Sequence, residues 1–218
     1  MKKSYDLGRD ILKLIAIITM TIDHLGAIIF TQNVILRVIG RIAFPLFSYL
    51  LVLGFESTRN VNNYLLRLFV FAIISQLPFG LALGYDLFES LNIFFTLLFG
   101  VMFLMEPITA LIPIALSFFI YFDYGLYGLA VIYCVNLLKR DIKEGSIAFI
   151  VLNLLFFALS PTQTFSILSL PLIVLHKRGV LKKETHRMDV YPVWKKYLFY
   201  IYYPSHLTAL YLAKIYLF

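Results

Sequence analysis

Two adjacent ionisable residues, Asp23 and His24, lie in the first apolar run of the sequence, residues 11 to 30. A charged side chain at the centre of a bilayer costs roughly 2.5 to 3.5 kcal/mol even on lenient insertion scales, so such residues usually mark a functional cavity. Histidine can take and return a proton near neutral pH. The pair therefore predicts acid–base chemistry at membrane depth, with His24 as the general base.

Further polar residues are expected at a similar depth in other helices. With a helical rise of 1.5 Å per residue, five polar side chains come out roughly 14 to 21 Å above one edge of an apolar core of about 30 Å. They are Asp23, His24, Arg41, Gln76 and His206. Their shared depth predicts one buried polar site built from four helices.

The partners of Asp23 and His24 must come from other helices, because adjacent helical side chains point about 100° apart. Arg37 and Arg41 share one face of the next helix, so an ion pair between Asp23 and Arg41 is available. A purely structural salt bridge and interhelical hydrogen bonds of the histidines would explain the same residues without chemistry. Two histidines without a third ligand make a poor zinc site, so no metal is expected.

The elements that position these residues follow from composition. The chain has 218 residues, of which 61% are hydrophobic and 14% charged, whereas soluble domains are about 45 to 50% apolar and 25% charged. We therefore expect an all-α, polytopic transmembrane helical bundle that forms a single domain over residues 1–218. About nine spans are predicted, at residues 11 to 30, 35 to 55, 64 to 84, 91 to 105, 107 to 121, 124 to 138, 146 to 160, 162 to 176 and 197 to 217.

The net charge of +7 reports membrane orientation rather than nucleic-acid binding. If the N-terminus is cytoplasmic, all but three of the 19 Lys and Arg residues fall on the inner side, and the exceptions are Arg37, Arg41 and Lys214. This pattern predicts a multi-pass protein of the cell membrane with its C-terminus outside and membrane lipid as a partner. His176 and His186, at or in the basic stretch 177 to 196, are expected to be solvated.

Four segments of the chain resemble the TraX family of membrane acetylases. They are LKLIAIITMTIDHLGAI (12 to 28), residues 36 to 83, LNIFFTLLFG (91 to 100) and YIYYPSHLTALYL (200 to 212). The resemblance implies a multi-pass acetyltransferase that uses acetyl-CoA as co-substrate. The matched positions are Asp23, His24, Arg37, Arg41, Pro45, Thr58 to Asn60, Tyr64, Arg67, Asn92 and Tyr203 to His206.

Acetyl transfer needs a base, hydrogen-bond donors for the carbonyl oxygen, and cations for the phosphates of the cofactor. We assign His24 as the base, Asp23 with Arg41 as the groups that orient the site, and His206 as a further catalytic residue. The expected substrate contacts are Arg37, Gln76, Asn92 and Tyr203. The expected cofactor contacts are Arg59, Tyr64, Arg67, Lys139 and Arg140, with the basic stretch 177 to 196 as a further source of cations.

The acceptor stays open among a protein N-terminus, a sugar hydroxyl and a lipid headgroup, because all three need the same base and donors. Acetyl could pass directly or through an acetyl-histidine. Two other classes of protein explain the same buried residues. One is a transporter with a proton or ion relay through Asp, His and Arg, and the other is a membrane scaffold for a surface structure.

Overall fold

The computed structural model describes residues 5–181, 184–185 and 193–217, and helices dominate it. The helices are α1 (Leu7–Ile28), α2 (Val34–Gly40), α3 (Ala43–Ser57), α4 (Val61–Leu83), α5 (Ile93–Met105), α6 (Leu111–Leu116), α7 (Gly125–Arg140), α8 (Ile142–Phe156), α9 (Leu170–Lys177) and α10 (Val193–Leu217). Two 3₁₀ helices cover Pro107–Ala110 and Pro161–Ser169. Four two-residue strands complete the set, namely β1 (Tyr5–Asp6), β2 (Ser90–Leu91), β3 (Tyr121–Phe122) and β4 (Glu184–Thr185). The helical architecture expected from the sequence is confirmed.

Three helical stretches within the described residues are long and apolar enough to cross a membrane: α1, the combined stretch Val34–Ser57, and α4. Each of the nine apolar runs does coincide with a helical segment. The fourth and fifth runs are short, however, since the 13 residues of α5 rise only about 20 Å against an apolar core of about 30 Å. The count of nine spans and the orientation of the termini therefore stay predictions.

Asparagine and aspartate side chains begin four of the helices. Asn33, Asn60, Asn92 and Asp141 each accept a hydrogen bond from a main-chain N–H in the first turn of the helix that follows. Such a cap satisfies an amide that has no partner inside the helix and is worth about 1 kcal/mol. These caps explain why the long apolar sequence divides into helices at these positions.

The molecule has two ends, which we name by their residues. The apical end comprises residues 29–33, 84–92 and 117–124, where β2 pairs in parallel with β3. The basic end comprises residues 5–10, 57–61, 139–143 and 176–181, where β1 pairs antiparallel with β4. The strand β2 precedes α5 and β3 follows α6, so the chain between them leaves the apical end and returns to it.

Glycines let the helices approach closely where the buried polar residues lie. A Cβ atom at Gly40 would come within 2.2 Å of the Asp23 side chain, so α2 can lie against α1 only because residue 40 has no side chain. In the same way, Gly145 of α8 lies against the main chain of Leu138 in α7. Between the two ends the core is filled by apolar side chains such as Leu12 and Phe94, which are fully buried.

Candidate active site at the apical end

A cavity of about 760 Å³ opens among α1, α2, α3, α4, α10 and the loops of the apical end. Aromatic side chains form part of its wall, and six Asp, Glu, His and Arg side chains also line it. They are Asp23, His24, Arg37, Arg41, Glu89 and Asp123. Four of the six were predicted as site residues from the sequence, so the structure brings these four together around one cavity.

Asp23 holds two arginines at the wall of this cavity. Its Oδ1 lies 2.5 Å from Nη2 of Arg41, and its Oδ2 lies 2.7 Å from Nη1 of Arg37. Nη1 of Arg37 also donates to the main-chain oxygen of Asp23, at 3.0 Å. The expected ion pair between Asp23 and Arg41 is confirmed. The three residues together carry one net positive charge, which the carboxylate of Asp123 on the same cavity wall partly offsets.

His24 and His206 form a directed hydrogen-bonded pair. Nδ1 of His206 lies 2.9 Å from the main-chain oxygen of Tyr202, which can only accept, so Nδ1 carries the proton. In a neutral ring Nε2 of His206 is then an acceptor, and it lies 2.7 Å from Nδ1 of His24. His24 therefore carries its proton on Nδ1 and has a lone pair on Nε2. Within the described residues, Nε2 of His24 has no hydrogen-bond partner, and the His24 side chain lines the cavity.

An aromatic column, built from one residue of α5 and two of α10, lies between this pair and an arginine nearer the basic end. The column consists of Phe94, Tyr200 and Tyr203, with the Phe94 and Tyr200 rings stacked at 5.6 Å. Tyr203 lies edge-on to the His24 ring, 6.1 Å between ring centroids. At the other end, the Arg67 guanidinium lies close enough to the Tyr200 hydroxyl to interact with it electrostatically. Tyr200 and Tyr203 are one helical turn apart, a rise of about 4.5 Å.

A second buried network, made of hydrogen bonds, holds the Arg41 side chain on the side away from the cavity. Nη1 of Arg41 donates to Oε1 of Gln163 at 3.0 Å, and Nε2 of Gln163 donates to the Tyr127 hydroxyl at 3.2 Å. The Tyr127 hydroxyl in turn contacts Asn153 and Ser166, at 2.9 and 3.1 Å. These residues were not predicted from the sequence. The signal was present, because Gln163 and Asn153 are polar residues inside apolar runs, as Asp23 is.

The loop that carries Asp123 is held in a fixed shape. Tyr124 has a φ of 63°, which is uncommon for a residue other than glycine. Its ring stacks on Phe44 at 4.0 Å, and the Thr96 hydroxyl donates to the main-chain oxygen of Asp123. Burial raises the pKa of Asp123 to about 6, against the lowering effect of Arg41. The sequence contains no sign that sets Asp123 apart from solvated loop residues, so it was missed.

Gln76 and Asn92 lie together, but away from the cavity. Nε2 of Gln76 donates to the main-chain oxygens of Leu87 and Ser90, at 2.9 and 2.7 Å. Oε1 of Gln76 accepts from Nδ2 of Asn92 at 2.8 Å. Neither residue lines the cavity, and both hold the loop of residues 84–92 against α4. Their assignment as substrate contacts stays a prediction without a geometric basis.

The residues predicted to bind the cofactor lie toward the basic end. Arg67 lies over the Tyr64 ring at 5.5 Å, and Lys139 forms an ion pair with Glu56. Arg59 is exposed, and Arg140 lines a separate cavity at this end. In the basic stretch 177 to 196, residues 182, 183 and 186 to 192 lie outside the described residues. Among the described cations of this group, Arg67 has an interaction that leads toward the apical cavity, through Tyr200.

His176 was expected to be solvated, and this expectation is wrong. His176 is 1% exposed, with Nδ1 2.9 Å from the Tyr49 hydroxyl and Nε2 3.2 Å from Oδ2 of Asp6. The close approach of α1 explains its burial, because a Cβ at Gly8 would lie 2.8 Å from the His176 ring. His186 lies outside the described residues.

The sequence of this chain matches a known protein family. The family model described as "TraX protein" matches residues 8–214, which is nearly the whole chain. The chain belongs to the TraX family. The family resemblance inferred from the sequence is thereby confirmed.

Two relatives of the TraX chain are informative. It is 29% identical to the probable fimbrial assembly protein FimC, serogroup H1, of Dichelobacter nodosus, over the full length of both chains. It is also 35% identical over 69 residues to the uncharacterized protein RP591 of Rickettsia prowazekii, a match that covers 32% of this chain and 26% of that protein. No solved structure matches.

Proposed function

We propose that this TraX protein is an acetyltransferase of the cell membrane that moves an acetyl group from acetyl-CoA to an amine or hydroxyl acceptor. The single observation that carries the proposal is the chain of two hydrogen-bond contacts from the Tyr202 carbonyl through His206 to His24. The Tyr202 carbonyl and His206 together leave Nε2 of His24 with a lone pair on the wall of a cavity. A base held in this way by a third group is the arrangement that nucleophilic acyl transfer requires.

In the proposed reaction the acceptor attacks the thioester carbonyl carbon while Nε2 of His24 takes the proton from the acceptor amine or hydroxyl. The new bond to the carbonyl carbon forms, the carbon–sulfur bond breaks, and the sulfur leaves as a thiolate. His24 then returns the proton to that thiolate, so the products are the acetylated acceptor and CoA. The hydrogen bond from Nδ1 of His24 to His206 supports the ring while it carries the extra proton.

The carbonyl oxygen gains negative charge as the acceptor attacks. Arg37 and Arg41 supply the positive charge that stabilises it, because preorganised donors at the developing oxyanion lower the barrier. The two ion pairs with Asp23 fix both guanidinium groups beforehand. Asp23 is therefore a positioning residue rather than a proton acceptor, since both its oxygens are already engaged.

The aromatic column and Arg67 support the binding of the donor from the basic end. Arg67 interacts electrostatically with the Tyr200 hydroxyl, and Tyr203 lies edge-on to the His24 ring. We propose that Arg67 binds a phosphate of acetyl-CoA and that the acyl arm lies along the column to reach His24. Tyr203 is 1% exposed, so the column must open when the donor enters. The roles of Arg59, Tyr64, Lys139 and Arg140 stay predictions.

The acceptor would enter through the apical cavity, which the distribution of Lys and Arg predicts to face the outside. The relative from Dichelobacter nodosus is named as a fimbrial assembly protein, which favours an acceptor that becomes part of a surface fibre. The same name also supports a second candidate function, a scaffold for assembly that performs no chemistry. A scaffold would not require the proton of His24 to lie on a particular nitrogen.

The test is an acetyl-transfer assay with the detergent-purified protein, acetyl-CoA carrying an isotopic label, and a panel of peptide amines, sugars and aminolipids. Labelled product is expected with at least one acceptor, and His24→Gln should lower its formation by 10²- to 10⁴-fold, the usual contribution of a general base. His186→Gln, in the basic stretch, is the matched control. If folded His24→Gln retains full transfer, the base assignment is wrong.

Absence of both transfer and acetyl-CoA hydrolysis, together with no binding of acetyl-CoA, would favour the scaffold. Binding is measured as the thermal shift caused by acetyl-CoA, with Arg67→Gln beside the parent protein. A saturable shift that weakens in Arg67→Gln supports the proposed phosphate contact. Proton flux in liposomes that depends on His24 without any acetyl transfer would instead support the ion-relay alternative.

A further inference from the structure

A second cavity, of about 580 Å³, lies at the basic end, between the α7–α8 junction and the C-terminal end of α9. Four basic residues and one acidic residue line it, together with a serine and two isoleucines. They are Arg140, Lys143, Lys177, Arg178, Asp141, Ser146, Ile142 and Ile147. We call it the basic cavity. None of these residues lines the apical cavity, so the two sites are separate.

The basic cavity holds cationic side chains without protein partners. The carboxylate of Asp141 is already engaged as the cap of α8, where Oδ1 accepts from the main-chain N–H of Glu144 at 2.8 Å. Lys177 is also engaged, because its Nζ donates to the main-chain oxygen of Lys139. Within the described residues, the side chains of Arg140, Lys143 and Arg178 have no hydrogen bond or ion pair. The cavity therefore offers three cations to an anionic ligand.

One wall of the basic cavity continues into an apolar surface. Ile147 lines the cavity and is 53% exposed, and it begins an outward stripe of α8. Ile150, Val151 and Leu154 follow on that face, at the spacing of three and four residues that a single helix face requires. A free phosphate or nucleotide would use only the cations. A phospholipid would use both parts, with its phosphate at the cations and its acyl chains along the stripe.

We propose that the basic cavity binds the phosphate of an anionic phospholipid, with Lys143 and Arg178 as the main charged contacts and the Ser146 hydroxyl as a hydrogen-bond donor. The lipid occupies the site as a bound ligand of the helical bundle. Its binding does not depend on the proposed acetyl transfer, because no residue of the apical cavity takes part.

The experiment measures thermal unfolding of the detergent-purified full-length chain while phosphatidylglycerol or phosphatidylcholine is added as mixed micelles. Phosphatidylglycerol should stabilise the protein in a saturable way, and phosphatidylcholine should not. Lys143→Gln and Arg178→Gln should each weaken the apparent affinity about fivefold, from about 1 kcal/mol for each basic residue near an anionic surface. Lys214→Gln, which removes an exposed lysine from the far end of α10, is the matched control.

Three results would overturn the assignment. The first is equal stabilisation by both lipids, which would mean that the site does not distinguish an anionic from a zwitterionic headgroup. The second is an equal loss of affinity in Lys214→Gln, which would mean that any surface lysine contributes equally to binding of the anionic lipid. The third is the same saturable shift with inorganic phosphate or CoA, which would make the cavity a site for a soluble anion. Acetyl transfer is not the readout, so the lipid site and the proposed function can fail separately.

Discussion

Two buried histidines at opposite ends of the molecule differ in what their second ring nitrogen contacts. At the apical end, His24 gives Nδ1 to His206 and keeps Nε2 on the wall of a cavity. At the basic end, His176 has a polar partner at both nitrogens, Tyr49 and Asp6, and lines neither cavity described above. Both rings are buried, with His24 8% and His176 1% exposed, so burial alone does not distinguish a site for chemistry from a structural contact. The two sites are distinguished by the lone pair on Nε2 of His24, which has no partner and borders a cavity.

The largest expected difference between the two ends is in catalysis. His24→Gln removes the proposed base and should lower acetyl transfer 10²- to 10⁴-fold while changing the unfolding temperature little, because the cavity tolerates the smaller side chain. His176→Gln disturbs a filled site and should lower the unfolding temperature while the transfer rate of the folded fraction stays near that of the parent. Both rates are measured per folded molecule. Equal rate losses in the two variants would remove the distinction drawn between the rings.

The carboxylates beside the two histidines should differ in stability. Asp23 compensates two arginines, and its side chain is 10% exposed, whereas Asp6 is 21% exposed. Asp23→Asn leaves buried guanidinium charge uncompensated and should cost about 3 to 5 kcal/mol of unfolding free energy. Asp6→Asn should cost about 1 kcal/mol, as for a more solvated pair. Denaturant titration of both variants in detergent measures the difference, and a larger loss in Asp6→Asn would contradict it.

A pH titration tests the loop beside the apical cavity. The folded pKa of Asp123 is about 6, above its ordinary value of 3.8. The folded protein therefore binds more protons than the unfolded chain between these values, and stability falls as the pH rises from about 4 to 6. The loss amounts to at most about 3 kcal/mol, at 1.36 kcal/mol for each pKa unit.

Asp123→Asn should remove this part of the pH dependence, so the unfolding temperature of the variant should fall less between pH 4 and 7. The matched control is Asp86→Asn, an exposed aspartate of the same end. An unchanged pH profile in Asp123→Asn would show that the carboxyl group is not buried as described.

Sequence reasoning recovered the helical fold and the centre of the apical site because ionisable residues in apolar runs are conspicuous. Asp23, His24, Arg37 and Arg41 all line one cavity, and His206 contacts His24. Depth alone could not separate Gln76 from this group, because rise along a helix says nothing of which way a side chain points. Asp123 is presented by a loop whose shape depends on contacts with distant residues, Thr96 among them. Such contacts leave no local pattern in the sequence.

The smallest predicted effects concern the hydroxyl and amide groups behind each site. Gln163→Leu removes a partner of Arg41, and Tyr49→Phe removes the hydroxyl that contacts His176. Each should cost about 1 to 3 kcal/mol of stability, since a buried polar partner is left without its hydrogen bond. Only Gln163→Leu should also lower kcat, with KM for the donor unchanged, because a loosened Arg41 stabilises the oxyanion less well. Steady-state kinetics of both variants separate these outcomes. If Gln163 contributes to folding alone, kcat per folded molecule should be equal in Gln163→Leu and Tyr49→Phe.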